Sequence, residues 1–242
     1  MPCPSLCRIQ VAPMYPSGYL MSTPGQGNGS MIEPMSKNAI PDPPPPRMAQ
    51  GKRLLMDTAT RLLARQTLQS TLALRELARE AGLNHNTFYR HFSSLEEMQA
   101  AIIEEFVTTL RSSLTAARQQ IPPGQSVSHV VIGALFEFAR QNSDPFILAY
   151  RVWHGPPSDS RHLVQTAMDQ LCDDMLRDLR ALGILPKLDE ARLRRLLAID
   201  IQQVFRLCIA YLEAPRSRAR LIDAGDELLK TLIAGAVVLQ GP

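Results

Sequence analysis

From Ala49 onward the apolar residues recur at helical spacing. Leu55, Ala59, Leu62 and Leu63 fall at i, i+4, i+7 and i+8, with Lys52, Arg53, Arg61 and Arg65 around the rest of the turn. Leu74, Leu77, Ala78 and Ala81 repeat the pattern and stop at Gly82, and Phe88 and Phe92 form an i, i+4 pair just beyond. Ser93-Ser94 followed by Glu96-Glu97 predicts a capped helix start, because a hydroxyl and nearby acids suit the exposed N–H groups there. That helix runs through Ile102, Ile103, Phe106 and Leu110 to Pro122-Pro123-Gly124. Further helices are predicted over Ser126 to Gln141, from Asn142-Ser143-Asp144-Pro145, over Asp159 to Leu182, over Asp189 to Glu213 and over Pro215 to Leu239. No alternating strand pattern of useful length intervenes. The expected fold is all-α.

Residues 1–47 break this texture. Eleven of the nineteen prolines lie before Arg47, with no apolar periodicity, so this segment is read as a disordered Pro-rich tail. The helical part is read as two units: a helix-turn-helix module over residues 48–95 and a larger helical domain over 96–242. The final two helices carry the stripes Leu193, Leu197, Val204, Cys208, Leu212 and Ile222, Leu229, Ile233, Ala236. Two such faces exceed what one protomer is expected to cover, which predicts a homodimer through a four-helix interface.

Charge sharpens the picture. The chain carries a net +3, but residues 47–92 alone hold eight Arg or Lys against three acids, and the remainder is slightly acidic. A compact basic block is the footprint of a small nucleic-acid-binding module. No run is apolar enough to span a membrane, and the N-terminus lacks a secretory pattern, so a cytoplasmic location is expected. Cys3, Cys7, Cys172 and Cys208 form no CxxC pair or metal spacing. Neither a metal site, a cofactor loop nor a catalytic constellation is expected, so the chain is not read as an enzyme. Asp173-Asp174 reads as a solvated face, and Cys172 and Cys208 as small core residues.

The segment Leu74 to Phe92 carries the candidate chemistry. Gly82 suits a left-handed turn, and Asn84 can cap the following short helix. Ala78, Leu83, Phe88 and Phe92 would pack the unit, leaving His85, Asn86, Thr87, Tyr89, Arg90 and His91 to face outward. Asn can pair with adenine, Thr can meet the thymine methyl, and His can donate to guanine. Tyr89 and His91 are placed on phosphates, with Arg75 and Lys52 adding charge contacts.

This stretch resembles the DNA-binding domain of the TetR family, whose signature closes on Tyr-x-His-Phe after an Ala-Gly-hydrophobic turn; here these are Tyr89 to Phe92 and Ala81 to Leu83. The resemblance covers residues 49–106. Within the family the chain is most similar to fatty-acid-biosynthesis repressors of the FabR and DesT type. These share the Leu-Arg-Glu-x-Ala-Arg-Glu-Ala-Gly string at 74–82 and the Phe-Tyr-Arg-His-Phe ending at 88–92. Phe136-Glu137-Phe138 through Asn142 to Pro145-Phe146 looks like their continuation. Two positions depart from the family: Ala73 stands where a capping Thr or Ser is common, and Leu95 where a phosphate-binding lysine is common.

The resemblance implies a dimeric repressor of a palindromic double-stranded DNA operator, released or tightened by an apolar effector. It implies a cavity among Leu135, Phe138, Phe146, Leu148, Tyr150, Trp153, Met175 and Phe205, with a fatty acyl group, carried as acyl-CoA, as the ligand. Arg140, Arg151 and Arg177 are the arginines available for the phosphates of coenzyme A. A TetR-like regulator of efflux or catabolic genes, answering to another apolar molecule, stays open as the alternative.

Overall fold

In the computed structural model, residues 47–65, 73–121, 124–181 and 189–238 are described. They contain helices and no strand. The Pro-rich segment before Arg47 lies outside the described residues, as do Pro122-Pro123 and Gly183. The helices are α1 (Arg47–Arg65), α2 (Leu74–Glu80), α3 (His85–Tyr89), α4 (Leu95–Gln119), α5 (Val127–Gln141), α6 (Ser143–His154), α7 (Asp159–Ala181), α8 (Glu190–Glu213) and α9 (Arg218–Val238). None of them is long and apolar enough to cross a membrane.

The starts follow from capping chemistry. Ser94 accepts from the Glu97 N–H at 3.1 Å, and Glu97 reaches back to the Ser93 N–H at 2.7 Å, closing a reciprocal box at the head of α4. The Ser93 hydroxyl, and then the Ser93 N–H, donate to the Glu97 carboxyl and hold it below its ordinary range. Asp189 caps α8 by accepting from the Arg192 N–H at 2.9 Å. Two other starts differ from the sequence pattern. Asn142 does not cap α6; its amide donates back to the Phe138 carbonyl at 3.0 Å, so it finishes α5 instead. Pro215 opens a single 3-10 turn, Pro215–Ser217, and α9 begins after it.

The stripes on α8 and α9 are absorbed by the protomer itself. Leu193, Leu197, Val204 and Cys208 are buried against the other helices, as are Ile222, Leu229 and Ala236. Leu212 and Ile233 are half-buried at the edge of the same core. The premise that one chain leaves these faces uncovered is therefore corrected. What stays open is a different stripe: Ile199 and Arg206 on α8, and Thr231, Ala234, Gly235 and Val238 on α9.

Of Asp173-Asp174, read as a solvated face, Asp173 is exposed and Asp174 departs from that expectation. Asp174 is buried and gathers Arg118 at 3.3 Å, Arg177 at 3.0 Å and Arg111 at 3.8 Å, pinning the end of α4 to α7. Asp173 pairs with Arg194 of α8. Asp226 plays a similar part between α5 and α9: it accepts from Ser128, and from Ser126 at 3.3 Å, while Lys230 approaches at 2.5 Å. Cys172 and Cys208 are buried free thiols, and burial pushes the Cys172 thiol up to about 11 and the Cys208 thiol higher still.

Asp200 is different in kind. It is 2% exposed, and its Oδ1 has no hydrogen-bond partner among the described residues. Burial pushes its carboxyl up from 3.8 to about 7. The folded chain therefore holds a proton that the unfolded chain has released between those two values. Stability from this group is complete below pH 4 and lost as pH rises to 7. Replacing it with Asn removes that dependence. Chemical denaturation at stepped pH is expected to show Asp200→Asn gaining on the native chain by up to about 4 kcal/mol between pH 4 and pH 7, with a flat difference above.

Candidate nucleic-acid interface

α2 and α3 are joined by a turn that only a few residue types tolerate. Gly82 sits at φ +65°, where a side chain would be strained. From this turn Leu83 donates to the Ala78 carbonyl at 2.9 Å, and Gly82 to the Arg79 carbonyl at 3.1 Å, closing the end of α2. Ala73 precedes α2 with no side-chain cap, as its methyl requires. At the head of α3, the Asn84 side-chain oxygen accepts from the Asn86 N–H at 2.9 Å. Leu77, Ala78, Phe88 and Phe92 are buried beneath the pair.

This scaffold leaves a polar face on α3. His85, Asn86, Tyr89 and Arg90 are exposed, as are Asn84 and, on α2, Arg75. Tyr89 is 58% exposed, its ring held edge-on by His85 at 5.3 Å and Phe88 at 5.5 Å between centroids. The phenol is thus propped outward by two neighbours instead of being packed. Lys52 projects from α1 with its ammonium 5.4 Å above the Phe92 ring, beside the same face. Leu95 packs against the core at the start of α4.

Thr87 and His91 are less free than their spacing suggests. Both are half-buried, because α1 passes over α3 at Gly51. A Cβ at Gly51 would lie 3.3 Å from the His91 Nε2 and 3.8 Å from the Thr87 Cγ2. A methyl there would make the His91 ring give by a few tenths of an ångström, so glycine lets α1 and α3 approach closely. Spacing within one helix carries no sign of it; Gly51, an interruption in an otherwise strong helix pattern, is the single visible trace.

Two links tie this module to the larger helical body. Arg53 on α1 pairs with Asp57 at 2.9 Å and with Glu105 on α4. Arg151 on α6 donates to the carbonyl of Leu63 at 3.2 Å, near the end of α1. Neither link was legible in the sequence, where Arg151 read as available for a phosphate, since each depends on a contact across the fold.

Inside the body, the residues expected around a cavity interlock. Phe146 stacks on Phe205 at 5.2 Å, and Trp153 meets Phe205 edge-on at 5.7 Å. Phe106 touches Phe138 at 5.8 Å and Phe146 at 6.0 Å. Leu135 and Leu148 are buried around them, while Tyr150 and Met175 are half-buried at the margin. Of the arginines considered for phosphates, Arg140 is held by Glu137, Arg151 reaches Leu63, and Arg177 binds Asp174.

Residues 55–102, spanning the end of α1 to the early part of α4, match the family model described as bacterial regulatory proteins, tetR family. The module is a TetR-type helix-turn-helix domain. Over 124 residues the chain is 33% identical to an uncharacterized HTH-type transcriptional regulator from Haemophilus influenzae, which covers 51% of this chain and 60% of that protein. The chain thus spans well under the whole length of that relative. The whole described architecture resembles solved structures as well. One is the fatty acid degradation regulator FadR from Bacillus halodurans, with a TM-score of 0.61 at 13% identity, covering 76% of this chain and 95% of that one. Another is FadR from Bacillus subtilis in complex with stearoyl-CoA, with a TM-score of 0.60 at 14% identity, covering 76% and 98%. At these identities the likeness is one of fold: a TetR-type helix-turn-helix module followed by a TetR-like helical domain.

The cap at α3 gives a direct check on the module. Asn84→Ala is expected to lower stability by about 1 kcal/mol, while Asn84→Asp, which keeps the accepting oxygen, stays near the native value. Urea unfolding of the three chains measures the difference.

Proposed function

We propose that the protein is a DNA-binding transcriptional regulator, acting in the cytoplasm as a homodimeric repressor of a palindromic operator, with a fatty acyl effector. The observation that carries the reading is the polar face of α3. His85, Asn86, Tyr89 and Arg90 stand exposed on a helix fixed by the Gly82 turn and the Asn84 cap, inside the basic block of the chain. Base edges in a major groove are the surface that such a set complements, with Asn86 and Thr87 on bases and Tyr89, His91, Arg75 and Lys52 on phosphates.

A palindrome needs two α3 helices about 34 Å apart, so a second copy is part of the reading. The open stripe on α8 and α9 suits it. Nothing lies within 4 Å of a Cβ built at Gly235, so a partner helix can approach closely there. Ligand binding then acts by shifting the spacing of the two reading helices.

The acyl assignment draws on the FabR- and DesT-like strings in the sequence and on the FadR folds. In the present conformation the rings of Phe138, Phe146, Trp153 and Phe205 fill the interior with one another. An acyl chain must part them, gaining roughly 0.8 kcal/mol per buried methylene.

Two experiments test this reading. In gel shifts against the native promoter, the Asn86→Ala, Thr87→Ala double variant is expected to lose about 1–3 kcal/mol of base discrimination per contact removed, whereas Tyr89→Phe weakens all sequences alike. Unchanged affinity and selectivity in the double variant would refute the DNA-reading face. Trp153 is the single tryptophan, so its emission should shift as acyl-CoAs of increasing length are added, with affinity rising and then levelling off. A flat response across the series, with operator binding untouched, removes the acyl effector.

A further inference from the structure

Away from the reading face, and bordering the aromatic interior at Phe106 and Phe138, one cleft stands apart by its chemistry. It lies where α1, α4 and the corner between α5 and α6 meet, and encloses about 300 Å³. Its floor is apolar, formed by Met56, Ile102, Phe106 and Phe138, and its rim is polar. The rim's hydrogen bonding runs in one direction. The Thr60 hydroxyl donates to the Met56 carbonyl at 2.8 Å, and the Thr109 hydroxyl to the Glu105 carbonyl at 2.8 Å. The Gln141 amide donates to Glu137 at 2.8 Å, and the Asn142 amide to the Phe138 carbonyl at 3.0 Å. Each of these groups has a proton committed to its own helix and keeps an oxygen that can accept. The Gln141 and Asn142 amides each keep one further N–H, and the Ser143 hydroxyl can serve either way.

Charge points the same way. Asp57, Glu105 and Asp144 line the cleft against one cation, Arg53. Arg53 is already engaged by Asp57 and Glu105. Asp144 makes no hydrogen bond or ion pair among the described residues, although it is half-buried. The lining is therefore rich in acceptors and carries two negative charges in excess. No group of three or more metal-binding side chains is close enough to hold a metal ion among the described residues.

We propose that this cleft binds a small organic cation with several N–H donors: a linear diamine or polyamine. An ammonium offers three donors and no acceptor, which matches a rim of free oxygens, and its bond to Asp144 is charge-assisted. The methylenes between two ammonium groups lie along Met56, Phe106 and Phe138, as a lysine stem lies along an apolar surface. Bound there, the cation touches α1 through Asp57, α4 through Glu105 and α6 through Asp144. It adds a brace beside Arg53 between the reading module and the body. The binding itself stands apart from the acyl reading; only its effect on operator affinity rests on the regulator assignment.

Isothermal titration calorimetry of the full chain at low salt tests the proposal, with putrescine and spermidine as probes. The uncharged diol of putrescine's length and potassium chloride at matched ionic strength serve as controls. Saturable binding of one diamine per chain is expected, absent for both controls, and weakened by added salt because the cleft is open to solvent. Asp144→Asn should weaken it about fivefold, the size of one partly screened ion pair. Thr109→Arg, on an exposed helical position, places a guanidinium in the cleft and should abolish it. If Asp144→Asn does not fold, Thr109→Arg decides. Equal binding by native chain and Thr109→Arg, or heats reproduced by potassium chloride, would overturn the site. Loss of operator binding by the native chain would count against the regulator reading and leave the calorimetry as it stands.

Discussion

A single apolar interior runs through the described helices, and the helix-turn-helix module has no separate core. Leu55, Ala59, Leu77 and Phe88 belong to the same buried cluster as Phe106, Phe146, Leu197 and Leu229. α2 and α3 together are too short to bury enough surface to stand alone. They hold their shape because α1 and α4 carry the apolar interior out to them. Any repacking among Phe106, Phe138 and Phe146 is thus only one helix away from the residues that set α3. Interiors packed at this density pass on displacements instead of absorbing them.

The polar ties follow the same route. Arg53 joins α1 to α4, Arg151 holds α6 to the end of α1, and the Asp174 cluster locks α4 to α7. Most of these are partly exposed, so each contributes little to stability by itself. Their effect is on geometry: they fix which turn of one helix faces which turn of the next. Asp200 is the exception, a carboxyl enclosed with no cation beside it among the described residues, and near neutral pH it makes the body sensitive to a single proton.

Much of this was legible in the sequence. Helix positions followed from apolar spacing, and the Gly82 turn, the Asn84 cap and the Ser93–Glu97 box from local hydrogen-bonding rules that need no tertiary information. What spacing could not supply was the identity of the partner across the fold. The α8 and α9 stripes read as a dimer face because periodicity marks a residue for burial without saying which chain buries it. Asp174 read as solvated because its three arginines come from α4 and from its own helix, and only folding brings the α4 pair to it. Thr87 and His91 read as fully outward because the helix crossing at Gly51 is invisible within α3. Asn142 read as a cap, and the backbone turned it toward the helix behind.

The cap at α3 has a consequence for how a groove would be read. Recognising adenine with a side-chain amide takes both ends of that amide, an acceptor for the exocyclic amine and a donor for the ring nitrogen. Asn84 accepts from the Asn86 N–H through its oxygen, so the cap fixes how its amide is turned. In any complex that leaves the cap intact, that amide is oriented by the backbone and not by a base edge. Asn86, two residues along and exposed, has a side-chain amide with no partner among the described residues. The two asparagines are chemically identical, yet the helix start divides them: one is spent shaping the backbone, and the other stays open to whatever meets the face.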